Sequence, residues 1–177
     1  YAPCTLEDLA LAGMDYWALG HIHKRGILNA HDPTVVYSGN PQGRHPGEGG
    51  DHGCMVVDVD ADGHTELEFV ATDAVRWIEE DISIEGLESE QDLLDTIEEQ
   101  IQEKLDEEQR NLVCRLRLTG RGSVHRALRE DKLLDVQEAL RETFRDTQPF
   151  VWIDRVEGAT RPDIDIEIRR KGQDFVG

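Results

Sequence analysis

The second half of the chain carries the hydrophobic spacing of an amphipathic helix. Between Ser89 and Glu108 apolar residues recur three and four positions apart, and the positions between them are mostly acids and amides. This spacing buries one face of a helix and leaves the other in water. Ser89 is a suitable N-cap because Asp92 follows three residues later, as in a capping box. The predicted buried face consists of Leu93, Leu94, Ile97, Ile101 and Leu105.

Shorter stretches with alternating apolar and polar residues lie on both sides of this helix. A period of two is typical of a strand that buries one face. It occurs at residues 76–84, 112–119, 150–156 and 164–168, and a second amphipathic pattern predicts a helix from Lys132 to Arg145. The order strand, helix, strand, helix, strand predicts a small two-layer α/β unit with its helices on one face of a sheet.

The first 74 residues have briefer apolar runs. Residues 16–19 and 35–37 are bounded by turn residues and are predicted as buried strands. Residues 54–59 and 65–70 flank Asp62-Gly63, a pair that favours a hairpin turn. The composition changes near residues 72–75. We therefore predict a mixed α/β (α+β) fold with two domains, residues 1–74 and residues 75–177.

Two histidines one residue apart follow the first predicted strand. Gly20 permits a sharp turn after Leu19. If the backbone stayed extended beyond that turn, His21 and His23 would point to the same side. Because imidazole is a common metal ligand, the pair indicates half of a metal site. The alternative is a solvated turn.

A loop rich in glycine, proline and histidine, residues 43–53, comes after the strand that ends at residue 37. Arg44 and His45 are candidates for binding a phosphate, since a guanidinium group matches phosphate geometry. The alternative is a loop whose side chains stabilise only the loop itself. No glycine-rich nucleotide-binding motif precedes a helix here, so the pattern does not favour a nucleotide site.

The segments YWALGHIHKR, VVYSGNPQGRHPGE and GCMVVDVD together resemble a known family. They are similar to the C-terminal end of the calcineurin-like metallophosphoesterase domain of SbcD-like DNA repair exonucleases, in particular the YhaO-type branch. The resemblance is specific over residues 1–74 and weaker beyond. It implies the C-terminal part of a metallophosphoesterase β-sandwich domain, followed by a capping domain that shapes the access of DNA.

The same resemblance implies a catalytic role for the histidine pair. In that family the Gly-His-x-His motif supplies two ligands to a centre of two divalent metal ions, usually manganese, and the motif falls on His21 and His23. Asn40, Arg44 and His45 are then candidates for contacting the substrate phosphate. In the family, N-terminal Asp-x-His and Gly-Asn-His motifs precede the histidine pair, and neither occurs between Tyr1 and Gly20. We therefore expect a fragment, truncated at both ends and inactive by itself.

Histidine ligands need hydrogen-bond acceptors for their second ring nitrogens. Asp15, Asn40 and the backbone carbonyls near Gly39 are the candidates for this role, and the sequence does not select among them.

The charge of the chain bears on its substrate. The sequence has 38 acidic and 19 basic residues, a formal net charge of −19, which would repel DNA if it were evenly spread. Adaptation to a high-salt cytoplasm, a basic surface located elsewhere, or a substrate other than nucleic acid would each account for it. The scarcity of lysine, 4 residues, favours the first. Candidates for a DNA-facing surface, with a solvated face as the alternative, are Arg115, Arg117, Arg121, Arg126 and Arg129.

Other expectations concern partners and location. No apolar run has membrane-spanning length, so we expect a cytoplasmic protein without a membrane partner. The three cysteines are predicted to be reduced core residues. The preferred function is a metal-dependent DNA exonuclease, possible as a homodimer at full length. The alternatives are a metallophosphoesterase for a small phosphodiester, or a regulatory module whose acidic helix binds a partner such as an SMC-like ATPase.

Overall fold

A computed structural model describes residues 3–128 and 130–163 of the chain. The chain divides into two compact units, Tyr1–Ile78 and Glu79–Gly177. Helices and strands occur in both units, which confirms the predicted mixed α/β class. The domain boundary predicted between residues 74 and 75 stays a prediction.

The first unit contains one short helix and a three-stranded sheet. Helix α1 (Leu6–Leu11) begins with a capping box in which Thr5 and Asp8 exchange hydrogen bonds. The sheet has the order β1-β3-β2, with β1 parallel to β3 and β2 antiparallel to it. Val35 and Val36 of β3 are fully buried. The strands are β1 (Tyr16–Leu19), β2 (Gly26–Asn29) and β3 (Thr34–Tyr37).

A β-hairpin follows in the same unit. Strands β4 (Gly53–Val59) and β5 (Thr65–Ala71) pair antiparallel from Gly53 opposite Ala71 to Val59 opposite Thr65. Gly63 lies in the connecting turn with a φ of +82°, a conformation that favours glycine. The predicted hairpin is therefore confirmed.

The second unit has the predicted alternation of strands and helices. A three-stranded sheet has the order β6-β7-β9, and β7 runs parallel to β9. Helix α2 contacts helix α3. A short 3-10 helix spans Ser123–Arg126. The elements are β6 (Val75–Ser83), α2 (Glu90–Glu108), β7 (Asn111–Thr119), β8 (Arg121–Gly122), α3 (Glu130–Thr143), β9 (Val151–Gly158) and β10 (Arg161–Pro162).

The core of this unit includes most of the apolar positions that the periodicity predicts, but Leu94 of the predicted helix face is only half-buried. Ser89 caps α2, and its hydroxyl accepts a hydrogen bond from the Asp92 amide at 3.1 Å. One side of β7 is buried, while the alternate residues remain partly or largely exposed. The fully buried side chains include Leu93, Ile97, Ile101, Leu112, Leu118 and Ile153.

Helix α3 supplies side chains to the backbone of β9, which is an outer strand of the sheet in the described part of the chain. The Arg141 guanidinium donates to the carbonyl of Ile153 at 2.8 Å. The Val156 amide donates to the side-chain oxygen of Gln137 at 3.3 Å. These contacts satisfy hydrogen-bonding groups of the β9 backbone.

Several expectations are corrected. Cys4 and Cys54 are exposed, and Cys114 alone of the three cysteines is buried, because residues 4 and 54 lie in an exposed segment and on the outer side of the hairpin. Burial raises the pKa of the Cys114 thiol to about 12. The strand predicted at 164–168 and Arg129 lie outside the described residues. None of the helices in the described ranges is long and apolar enough to cross a bilayer.

Candidate functional site

The histidine pair lies just beyond the end of β1. The strand ends at Leu19, and His21 has a φ of +78°, so the backbone does not stay extended through the pair as the sequence analysis supposed. Non-glycine residues rarely adopt this left-handed conformation. His21 and His23 nevertheless line the same cavity, of about 520 Å³. The turn therefore brings the two imidazoles together by a route other than strand periodicity.

The cavity lies in the first unit, and most of its lining residues are charged or polar. Its walls come from the segment after β1 and from the loop after β3, so the two segments that carry the histidines and the Gly-Arg-His sequence face each other. Cationic, anionic and imidazole groups all occur in its lining. The lining residues are His21, Ile22, His23, Lys24, Arg25, Gly47, Glu48, Gly49, Asp51 and His52.

Glu48 is at the centre of a hydrogen-bond network in this cavity. It was not among the candidates selected from the sequence. Its Oε1 lies 2.6 Å from Nδ1 of His23. Its Oε2 accepts hydrogen bonds from the Asn40 amide group at 3.0 Å and from the Arg44 backbone N–H at 2.9 Å. The hydrogen bond from His23 is the main reason that the pKa of Glu48 is lowered to about 2, and the bond from the Arg44 backbone adds to it. Glu48 is therefore ionised at neutral pH.

The position of Glu48 is fixed by its own backbone as well. Its carbonyl accepts a hydrogen bond from Nε2 of His52 at 2.9 Å, and His52 is 8% exposed. Its N–H donates to the carbonyl of His45 at 2.9 Å. A Cβ at Gly43 would lie 2.6 Å from the Glu48 carbonyl oxygen, so the loop is closely packed at this point. The carboxylate is thus held in place before any ligand binds.

The structure brings the three predicted phosphate-contacting residues close to Glu48. Asn40 donates to it, and Oδ1 of Asn40 is buried with no hydrogen-bond partner among the described residues. The Arg44 guanidinium lies 3.4 Å from Nδ1 of His23. Nε2 of the exposed His45 lies 3.4 Å from Oε1 of Glu48. Their contact with a substrate phosphate stays a prediction.

The candidates named from the sequence for supporting the histidine ligands are not the groups that contact the His23 ring. Asp15 lies against the turn at Gly63, and its backbone carbonyl accepts from Thr34. The backbone N–H of Asn40 donates to the carbonyl of His23 at 3.0 Å, which ties the two segments together through the main chain. The acceptor at the ring of His23 is Glu48.

A signal for Glu48 was present in the sequence. It is the only acidic residue between Asp32 and Asp51, and it lies three residues after His45 in a loop already selected for its chemistry. The cationic residues of that loop were selected as candidates from the sequence, and its carboxylate was not. The spacing alone does not show that the loop folds back onto the histidine turn.

The nitrogen donors of His21 and His23 fit part of a metal centre. They do not make a complete one. Within residues 3–128 and 130–163, no group of three or more histidine, cysteine, aspartate or glutamate residues is arranged to hold a metal ion. His21 and His23 are nitrogen donors of the kind that bind manganese or zinc, and both face one cavity. Two imidazoles are fewer ligands than such ions need.

The predicted DNA-surface arginines that the structure describes lie in the second unit, and two of them are paired with acids. Arg117 binds Asp81 through two hydrogen bonds of 2.6 Å, and Arg115 binds Asp154 at 2.7 Å. Arg121 is exposed, and its side chain is 3.4 Å from the carbonyl of Pro162. The positive charge of the first two is therefore offset locally.

Comparison with known proteins supports the metallophosphoesterase family. A family model described as the middle domain of metallophosphoesterase YhaO matches residues 77–161. A protein of Bacillus subtilis (strain 168), described as uncharacterized metallophosphoesterase YhaO, is 36% identical over 169 residues. The match covers 94% of this chain and 40% of that protein, so the chain spans less than half the length of this relative. No solved structure matches.

Proposed function

We propose that the chain is part of a metal-dependent phosphodiesterase and that His21 and His23 are two of its metal ligands. The observation that carries the proposal is that both imidazoles face one polar cavity opposite the loop that contains Arg44, His45 and Glu48. Similarity to a metallophosphoesterase supports the same class. The remaining ligands would come from residues outside this chain, as the family resemblance implies.

In this proposal each described residue has a role that follows from its chemistry. A pair of divalent ions, with manganese the expected metal, would polarise a phosphodiester and lower the pKa of a water molecule. His21 and His23 would hold neutral imidazole nitrogens toward that centre. The Arg44 guanidinium lies 3.4 Å from the His23 ring, where it could bind a phosphate oxygen. Lys24 and Arg25 add positive charge to the cavity wall.

The proposed substrate is DNA, with the second unit as a capping domain. Two observations support this proposal. The sequence resembles SbcD-like exonucleases, and the second unit contains the arginines Arg115, Arg117 and Arg121. The test uses the complete gene product that contains this chain, incubated with manganese and linear duplex DNA. His21→Ala and His23→Ala should each reduce cleavage by at least about a hundredfold, the scale expected from losing metal-assisted chemistry. Full activity in both variants would contradict the proposal.

A small phosphodiester is a second candidate substrate, favoured by the charge. The net charge of −19 and the pairing of Arg115 and Arg117 with aspartates both disfavour a polyanionic substrate. The same preparation is therefore assayed on bis(p-nitrophenyl) phosphate. Cleavage of this compound without cleavage of DNA would select the small substrate over the nuclease.

Binding of a partner protein is a further proposal that concerns α2. Its exposed face contains a majority of acids, and Lys104 is its only basic residue. Such a face could bind a basic surface of a partner such as an SMC-like ATPase. A pull-down with and without the residues after Ala74 tests this, and equal recovery of the partner would contradict it.

A further inference from the structure

The contact between His23 and Glu48 shows which of the two side chains donates the hydrogen bond. Oε2 of Glu48 accepts hydrogen bonds from Asn40 and Arg44, and Oε1 lies 2.6 Å from Nδ1 of His23. An ionised carboxylate has no proton to donate. A lone pair on Nδ1 of His23 would repel Oε1 at a distance of 2.6 Å. The Arg44 guanidinium also approaches Nδ1, at 3.4 Å, but the 2.6 Å contact with a carboxylate is much shorter, so the hydrogen lies on Nδ1.

A proton on Nδ1 decides which nitrogen of the neutral ring can bind a metal. A neutral imidazole has one N–H donor and one nitrogen with a lone pair. With Nδ1–H directed to Glu48, the lone pair is on Nε2. The His23 side chain is 45% exposed, the Glu48 side chain is 10% exposed, and both residues line the cavity. The nitrogen of the neutral His23 ring that can bind a metal ion is therefore Nε2.

Glu48 is held well enough to impose this arrangement. Its side chain is bound by Asn40 and Arg44, and its backbone is bound by His45 and by the buried His52. A group fixed on several sides loses little further freedom when it orients another side chain. Ligand orientation by such a supporting group is a requirement for a precise site.

We infer that Glu48 is a positioning residue that holds His23 in the tautomer with Nδ1 protonated and presents Nε2 to a divalent metal ion. The binding of a metal ion by His23 rests on the proposed function, whereas the tautomer of His23 does not. A carboxylate behind a histidine ligand also raises the basicity of the donor nitrogen. A residue with a purely structural role would not determine which ring nitrogen of His23 is protonated, and the protonated nitrogen can be measured.

The tautomer is measured on the metal-free 177-residue chain by long-range ¹H–¹⁵N correlation NMR. Spectra are recorded near pH 8, above the ordinary imidazole pKa of about 6.5, and the His23 signals are assigned by comparison with His23→Gln. We expect wild-type His23 to carry its hydrogen on Nδ1. Glu48→Ala should shift the ring to a mixture or to the Nε2–H form, and Glu48→Gln should retain the wild-type form because its amide oxygen can still accept.

The matched control is Asp51→Asn. Asp51 lines the same cavity, but its carboxylate is paired with Arg25 at 3.4 Å, so the variant removes one negative charge without touching the His23 ring. It should leave the tautomer unchanged. Wild-type His23 protonated on Nε2 would overturn the inference, and so would an unchanged tautomer in a folded Glu48→Ala variant. The wild-type spectrum decides the matter even if Glu48→Ala fails to fold.

Manganese affinity, measured by calorimetry on the complete gene product, tests the second half of the inference. We expect Glu48→Ala to bind manganese about 10- to 100-fold more weakly than wild type, and Asp51→Asn to bind within about threefold. Equal weakening by both variants would indicate a general charge effect and overturn the positioning role. If the protein bound manganese and cleaved a phosphodiester but His23 lacked the Nδ1–H tautomer, the inference would be overturned and the proposed function would stand. A wild-type protein with that tautomer but no manganese binding would overturn the proposed function and the metal-facing role with it.

Discussion

The backbone carbonyl of His23 lies beside Gly39, and the N–H of Asn40 donates to that carbonyl at 3.0 Å. A Cβ at position 39 would be 2.7 Å from the His23 oxygen and 3.0 Å from the Arg25 nitrogen, and Gly39 has a φ of +81°. The close approach of the two segments around the cavity therefore depends on a residue without a side chain.

Gly39→Ala should destabilise the first unit. Both the left-handed backbone and the collision with main-chain atoms oppose the new methyl group, so we expect a loss of about 1–3 kcal/mol in the free energy of unfolding. The measurement is the midpoint of urea denaturation followed by circular dichroism. Gly20→Ala is the control, because nothing lies within 4 Å of a Cβ at position 20. Equal stability of the two variants would contradict the argument.

Replacement of Asp73 should also be costly. Asp73 is fully buried and binds the guanidinium of Arg76, which is 8% exposed, through two hydrogen bonds of 2.7 and 3.0 Å. Asp73→Asn removes the negative charge from this contact with the buried guanidinium. We expect a loss of about 3–5 kcal/mol, the usual result of removing one partner of a buried ion pair.

The control for this prediction is the exposed ion pair of the same unit. Arg25 and Asp51 are separated by 3.4 Å, and their side chains are 39% and 45% exposed. Asp51→Asn should change the free energy of unfolding by less than about 1 kcal/mol. If Asp73→Asn were as mild as this control in denaturation experiments, the buried pair would not contribute as described.

The start of helix α2 should make stability depend on pH. The Asp92 carboxylate accepts hydrogen bonds from the backbone N–H groups of Glu88 and Ser89, and these bonds, the one at Glu88 first, lower its pKa from the ordinary value of 3.8. The folded state thus favours the ionised form. Its stabilising effect is complete above pH 3.8 and is lost as the pH falls through the lowered value.

Asp92→Asn tests this sign. The difference in the free energy of unfolding between wild type and variant should be largest near neutral pH and should shrink as the pH falls below 4, roughly the ordinary range for aspartate. Asp95→Asn, an exposed aspartate on the same helix that does not cap it, should show a smaller and flatter difference. A wild-type advantage that grew toward low pH would have the wrong sign.

The paired arginines of the second unit predict a gain of DNA binding. Asp81 and Asp154 neutralise Arg117 and Arg115, so Asp81→Asn together with Asp154→Asn should release both cations toward a phosphate backbone. We expect an increase of about two- to tenfold in affinity for duplex DNA at low salt, measured by fluorescence anisotropy, and a steeper dependence on salt.

A control with the same change in net charge separates a local effect from a general one. Asp95→Asn together with Asp106→Asn also removes two charges, but both residues lie on the exposed face of α2. If this double variant gained as much affinity as the first, the arginine surface would have no special role in binding DNA.

The second unit could be predicted well from the sequence because its local signals agree with one another. The spacing of Leu93, Ile97 and Ile101 defines one helix face, and the Ser89 cap defines where that helix begins. Strand β2 was missed because its four residues, two of them exposed and apolar, show no alternation. Its position depends on pairing with β3, which is not a local property.

The candidate site was predicted in part. Histidine spacing and the family resemblance selected His21 and His23, and both face the cavity. The link from His23 to Glu48 spans 25 positions and depends on how the loop after β3 folds back. A contact made by such a fold has no periodic signature, so residue type and position in a loop were the only clues.

The side chains that α3 directs at β9 have a consequence for how this chain behaves in concentrated solution. A strand from another molecule that paired with β9 would compete for the Ile153 carbonyl and the Val156 amide. Arg141 and Gln137 already bind these groups, so α3 makes this outer strand less available to an incoming polypeptide. The helix therefore disfavours intermolecular pairing at β9 in addition to contributing to the core.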